Sequence, residues 1–207
     1  MKHALAFLLA IGYFATARAE PPDSFDVTTE AYDRAFEIYD SLLEQHFKFD
    51  NLAFASVRFH ASLPSTNRAS AEYAFSLRSA HRGLLYFEGE DIEARYRKAS
   101  DYSILIQVAR AITEGKVLEP LKAPVSIASA ILNSTTCPAI RGAVLELSKL
   151  RIRPLNPDAP VYLDGPGFEF ELLDSSSRSR LEVTDPNHPL AKWADDTRAI
   201  LERCAAT

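Results

Sequence analysis

Between Thr28 and Phe47 the apolar side chains Tyr32, Ala35, Phe36, Tyr39, Leu42, Leu43 and Phe47 recur three and four positions apart, while Asp33, Glu37, Asp40 and Glu44 fall between them. That spacing gathers the apolar groups on one stripe of an α-helix. From Ala53 the period changes to two. Ala53, Ala55, Val57, Phe59, Ala61 and Leu63 alternate with Ser56, Arg58, His60 and Ser62, which predicts a half-buried strand. After the polar turn from Pro64 to Ser70, Ala71, Tyr73, Phe75 and Leu77 alternate with Glu72, Ser76 and Arg78, the second arm of a hairpin. Leu84 to Phe87, bounded by Gly83 and Gly89, predicts a third strand. Ile92, Ala94 and Tyr96, alternating with Glu93, Arg95 and Arg97, predict a fourth.

Tyr102 to Ile112 fits both periods, and Gly115 is a natural helix stop, so a helix is expected at its later end. The segment 116–124 contains two prolines and is the best candidate for an internal boundary. Beyond it, Val125, Ala128, Ile131 and Leu132 predict a short helix. Pro138 opens a clearer helix carrying Ile140, Ala143, Val144, Leu147 and Leu150 on one side. Val161 to Asp164 and Phe168 to Leu173 flank Gly165-Pro166-Gly167 as a second hairpin, Leu181 to Thr184 suggests another strand, and Pro189 begins a last helix lined by Leu190, Trp193, Ala194, Thr197, Ile200, Leu201 and Cys204. The order of elements predicts an α+β fold: an antiparallel sheet of about four to seven strands, covered by an N-terminal helix and two C-terminal helices in a two-layer arrangement.

The first 19 residues change the picture. Lys2 and His3 precede an uncharged, mostly apolar run, and Ala17 and Ala19 frame its end, the three-part pattern of a secretory signal peptide. The apolar run is shorter than the roughly 20 residues that a membrane span needs. The expectation is cleavage between Ala19 and Glu20 and a single domain over 20–207 that is periplasmic or secreted, without a transmembrane segment. Arginine outnumbers lysine, which leans towards a bacterial source. In such a compartment two cysteines favour pairing, so Cys137 and Cys204 are expected to form a disulfide worth about 4 kcal/mol by the chain-entropy model. The bridge would tie the start of one helix to the end of another, and two such helices lying side by side must run antiparallel.

Composition and charge exclude more than they identify. At 47% apolar and 25% charged the chain is an ordinary globular one, and its formal charge of −5 argues against nucleic acid as a partner, which demands clustered basic groups. No G-x-S-x-G, P-loop or dinucleotide fingerprint is present, and no two histidines stand four apart as zinc ligands on one helix would, so neither a catalytic residue, a metal site nor a cofactor is expected. Glu88, Glu90, Asp91 and Glu93 read as a solvated turn.

What remains is a binding site. Most of the Phe and Tyr residues lie before residue 103, and Phe47, Phe49, Phe54 and Phe87 are the ones that periodicity explains least, which marks them as candidates for an apolar or carbohydrate-binding groove. Arg95, Tyr96 and Arg97 form, with Lys98, the one short basic cluster. Aromatic and arginine side chains carry much of the energy of interfaces, so Arg95, Tyr96 and Arg97, with Phe87 or Phe54 as an apolar floor, are the candidate partner-binding residues. Strand alternation opposes part of this grouping, because Tyr96 should face away from its two arginine neighbours. The function these features favour is that of an exported, non-catalytic binding or interaction protein of the cell envelope, with an envelope protein or a small ligand as its partner. The alternative is an exported hydrolase whose site assembles only in the fold. Mass spectrometry of the exported protein is expected to give a chain beginning at Glu20; an intact Met1 would overturn the export assignment.

Overall fold

A computed structural model describes residues 27–60, 72–80, 90–100, 102–117, 119–150, 167–174 and 177–206. The expected signal peptide, the strand over Leu84 to Phe87 and the first arm of the hairpin at Val161 to Asp164 lie outside these residues. Among the described residues the fold is a six-stranded antiparallel sheet with five helices, the α+β class and antiparallel sheet that the patterning predicts.

The N-terminal apolar stripe forms two helices instead of one. Helix α1 (Thr29–Phe36) starts at Thr28, whose hydroxyl accepts the Ala31 N–H. Two residues later α2 (Tyr39–His46) begins, and the break turns Tyr39, Leu42 and Leu43 into the core while Phe36 stays exposed. Then follow β1 (Ala55–His60), β2 (Tyr73–Ser79) and β3 (Ile92–Ala99), and α3 (Ile104–Thr113), which ends at Gly115 with φ of +66°. In that left-handed conformation, which glycine adopts without strain, the chain closes the helix with a bond from Lys116 N–H to the Ala111 carbonyl. A short 3₁₀ turn at Pro120–Lys122 follows.

The next element departs from the expectation of a helix at Val125 to Leu132. It is a strand, β4 (Ile127–Asn133), paired along its length with β3. Its apolar residues satisfy both periods, and the backbone groups on the outer side of β3 decide between them, because a strand laid there completes the ladder. The chain continues through α4 (Ala139–Lys149), β5 (Gly167–Asp174), β6 (Ser177–Val183) and α5 (Pro189–Ala205). Strand order across the sheet is β4-β3-β2-β1-β5-β6, so strands from both sides of 116–124 share one sheet.

Cross-strand register sorts the side chains into rows. Ala130, Tyr96, Phe75, Val57, Phe170 and Leu181 lie opposite one another along one face. This face is apolar and packs on α4 and α5, where the Trp193 ring meets Phe75 edge-on at 5.8 Å and donates its N–H to the Ala143 carbonyl. Cys137 and Cys204 join the start of α4 to the end of α5 with Cα atoms 6.0 Å apart, so the two helices are antiparallel neighbours as expected. The other face carries Ser56, Arg58, Ala74, Ser76, Arg95 and Arg97, and α2 and α3 lie against it with α1 packed on α3. The helices therefore divide between both faces instead of forming the single covering layer of the two-layer arrangement. The reason is that β2 and β3 contribute Ala74 and Ala99 to a second apolar cluster on the polar side.

Glu72 holds that second cluster together. It is 1% exposed, accepts the Tyr39 hydroxyl at 2.7 Å and the Ile104 N–H at 2.9 Å, and so joins α2, β2 and the N-terminus of α3. Burial raises its pKa above the ordinary value of 4.5, against the opposing pull of these hydrogen bonds. A carboxyl whose folded value is raised contributes stability in acid that is lost as pH rises through that value. Denaturant unfolding at a series of pH values is expected to show the stability of the wild type relative to Glu72→Gln falling as pH rises above 4.5. An identical pH profile in the two proteins would contradict this role.

Candidate functional site

On the polar face, two rows of the sheet run Arg95, Ser76, Ser56, Glu171 and Arg97, Ala74, Arg58, Glu169. The middle of each row is occupied by a small residue, Ser76, Ser56 or Ala74, and larger charged groups stand to either side. The chain leaving α2, from Phe47 to Asn51, passes over this hollow. A cavity of about 360 Å³ results, walled by Gln45, Lys48, Phe49, Asp50 and Asn51 and floored by Ser56, Ala74, Ser76, Arg95 and Arg97. Its volume is at the lower end of that of small-molecule sites.

The covering segment is fixed at several points. Asp50 closes a turn, its Oδ1 accepting the Leu52 N–H and its carbonyl the Ala53 N–H. Arg178 donates to the Asn51 carbonyl at 2.7 Å, and Arg97 donates to the His46 carbonyl at 3.2 Å. The firmest anchor is Arg58, whose side chain is 4% exposed. Its guanidinium grips the Glu169 carboxylate through Nε at 3.0 Å and Nη2 at 2.8 Å, and donates through Nη1 to Glu44 on α2 at 2.9 Å. The Phe49 ring lies over both Arg58 and Arg180, at 5.0 and 5.3 Å, so the aromatic wall rests on cations that Glu169 has already paired. Burial opposes ionisation of Glu169, but hydrogen bonds from Arg58 and Arg180 outweigh it and hold the carboxyl below the usual range.

Charge inside the cavity is unbalanced. Among the described residues of the lining, Lys48, Arg95 and Arg97 face one carboxylate, Asp50. Arg95 divides itself between Glu93, at 2.9 Å, and Asp50 Oδ2, at 3.9 Å. Among the described residues neither Lys48 nor Arg97 has a carboxylate partner. Ser56 is 2% exposed, and its hydroxyl, like Asp50 Oδ2, is buried without a hydrogen-bond partner among the described residues. Buried polar groups left in this state ordinarily meet a ligand or water.

The candidate residues read from the sequence separate here. Arg95 and Arg97 reach the cavity together. Tyr96 points to the opposite face, buried, with its hydroxyl donating to Glu202 at 2.7 Å. Lys98 meets the same carboxylate. Phe54 is buried in the cluster beneath α4 and α5, and Phe47 in the cluster of α1 to α3, so neither floors the cavity. Phe87 lies outside the described residues. Of these aromatics, Phe49 is the one among the described residues that lines the site. Lys48, Asp50, Ser56 and Ser76 escape sequence reasoning; the only hint is the off-period Phe-Lys-Phe-Asp-Asn run where the helical stripe ends. Among the described residues no three His, Cys, Asp or Glu side chains are grouped to hold a metal ion, and no helix is long and apolar enough to cross a membrane. Compared with family models, curated proteins and solved structures, the chain matches none.

Proposed function

We propose that the protein is an exported, non-catalytic binding protein of the cell envelope, and that its cavity receives a small molecule bearing a carboxylate or phosphate group. The observation that carries this reading is the excess of cations in the cavity, three against one carboxylate, with Lys48 and Arg97 free of carboxylate partners among the described residues. A bound anion would take hydrogen bonds from Arg97 and Lys48, and the Ser56 hydroxyl could donate to the same group. Asp50 would exclude ligands that place a second anionic group at its end of the site.

The lining favours holding a ligand over transforming it. General acid–base chemistry needs a pair of groups that exchange protons near neutral pH. Arginine stays protonated, and Asp50, the sole carboxylate of the lining among the described residues, is already engaged by Arg95 and by its own turn. The hydrolase alternative would have to pair Asp50 with Lys48, the one other side chain among the described lining residues that exchanges protons. Export is supported by the signal-like first 19 residues and by the Cys137–Cys204 bridge, which belongs in an oxidising compartment.

Isothermal titration of the mature protein with succinate and with inorganic phosphate, and with uncharged erythritol as control, tests the reading and separates the two anion types. At least one anion is expected to bind saturably at one site, more weakly as salt is added, and Arg97→Gln is expected to lower the affinity about tenfold, the value of one charge-assisted hydrogen bond. Heats that do not saturate for either anion, or an affinity indifferent to Arg97→Gln, would overturn it.

A further inference from the structure

The two edges of the sheet are guarded differently. The outer strand β6 carries Arg178, Arg180 and Glu182 on a seven-residue run, and its arginines fold back onto Glu171 and Glu169 of β5. Charges of this kind keep an edge from pairing with another strand. At the opposite edge β4 contains no charged residue at all, nor do the residues flanking it from Ala123 to Thr136. Ile131 on this strand is 70% exposed, the most exposed of the large apolar side chains among the described residues.

The phase of the β3–β4 ladder says which backbone groups of β4 have no partner strand among the described residues. Ser134 N–H donates to the Ile92 carbonyl and Ser100 N–H to the Ser126 carbonyl, so the even-numbered positions on this side turn their backbone groups towards β3. Alternation then aims those of Ile127, Ser129 and Ile131 away from the sheet. The sequence over these positions, Ile127-Ala128-Ser129-Ala130-Ile131, reads the same in both directions. When a strand pairs antiparallel with its own copy about a two-fold axis, each residue on one side of the axis meets the residue equally far on the other side. With the axis at Ser129, Ile131 meets Ile127, Ala130 meets Ala128 and Ser129 meets itself. Every pair is matched in size, no charge is opposed, and the three outward-facing residues are the ones that exchange hydrogen bonds.

We infer that β4 is a homodimer edge, pairing with β4 of a second copy of this chain to give one continuous twelve-stranded sheet. The Ile131–Ile127 pairs lie on the same face as Arg95 and Arg97, because Ile131 stands opposite Arg95 and Ser129 opposite Arg97 in the ladder. A two-fold axis perpendicular to the sheet keeps like faces on the same side, so the dimer presents both cavities in one direction. This inference stands independently of what the cavity binds.

Sedimentation velocity on the mature protein across about a hundredfold range of concentration reads the association directly. A concentration-dependent dimer is expected. Ile131→Lys puts a charge in the pairing face, and Ser129→Pro removes an N–H that β3 does not use, a substitution an edge strand tolerates; both are expected to give monomers that still unfold cooperatively. Amide exchange in the unsubstituted protein decides the matter even if a variant fails to fold: the Ser129 and Ile131 amides are expected to exchange more slowly as concentration rises. A monomer at every concentration, a dimer that survives both substitutions, or exchange at these two amides that is independent of concentration would overturn the inference.

Discussion

Arg58 is a buried cation, and a cation removed from water has to be paired. It sits on the central strand β1, on the face that the aromatic core does not use, and it finds Glu169 on the neighbouring strand β5 and Glu44 on α2. Much of the site follows from that requirement. The ion pair to Glu44 draws α2 over the sheet, the Phe49 ring settles on the paired guanidinium groups of Arg58 and Arg180, and the chain from Phe47 to Asn51 is thereby stretched across the small residues Ser56, Ala74 and Ser76. The energetic value of such a pair lies less in net stability than in what it forbids. Removing Glu169 leaves Arg58 buried with only the half-exposed Glu44 as partner, at a cost of up to about 3 to 5 kcal/mol, so the guanidinium keeps one favoured seat, from which it reaches Glu44 and the Phe49 ring.

The two faces of the sheet divide the work. One is an apolar surface of Tyr96, Phe75, Val57 and Phe170, sealed by α4 and α5 and stapled by the Cys137–Cys204 bridge. That half supplies the burial a domain of this size needs. It leaves the opposite face free to carry polar groups in an order that core packing alone would not select. There Glu72 gathers the first three helices through the Tyr39 hydroxyl and the Ile104 N–H, and the gap between that cluster and the Arg58 network is the cavity. A site built this way stands on rigid strands, with its cations positioned before any ligand arrives. Such preorganisation reduces the ordering cost of binding.

The sheet is largely legible in the sequence because alternation records burial directly: Val57 and Phe59 against Ser56 and Arg58, or Tyr73 and Phe75 against Ser76, announce strands without help from distant residues. The same alternation states that Tyr96 faces away from Arg95 and Arg97, and the fold separates them accordingly. Legibility fails where two periods coincide. Ile127 to Leu132 suits a helix as well as a strand, and the choice is made by the unpaired side of β3, which no local pattern reveals. It fails again at Glu37 and Ile38, where one continuous stripe breaks so that Tyr39 can reach Glu72, 33 positions along the chain. The site is the least legible part. Arg95 and Arg97 stand out as a basic cluster, but Lys48, Asp50 and Ser56 acquire meaning only from the register that sets Ser56 opposite Ser76 and from the turn that swings residues 48–51 above them.

Arg58 and its carboxylates pin the chain above the sheet, and the cavity depends on that anchorage. Arg58 and Glu169 do not line the cavity, so their removal can affect a ligand only through its wall. The double substitution Arg58→Met with Glu169→Gln takes away both members of the buried pair and leaves no orphan charge between them. Calorimetric titration of this variant with the anion that the unsubstituted protein binds is the most direct measurement. A protein that still unfolds cooperatively but binds at least about tenfold more weakly is the predicted result. Affinity equal to that of the unsubstituted protein would show that the cavity does not depend on this pair.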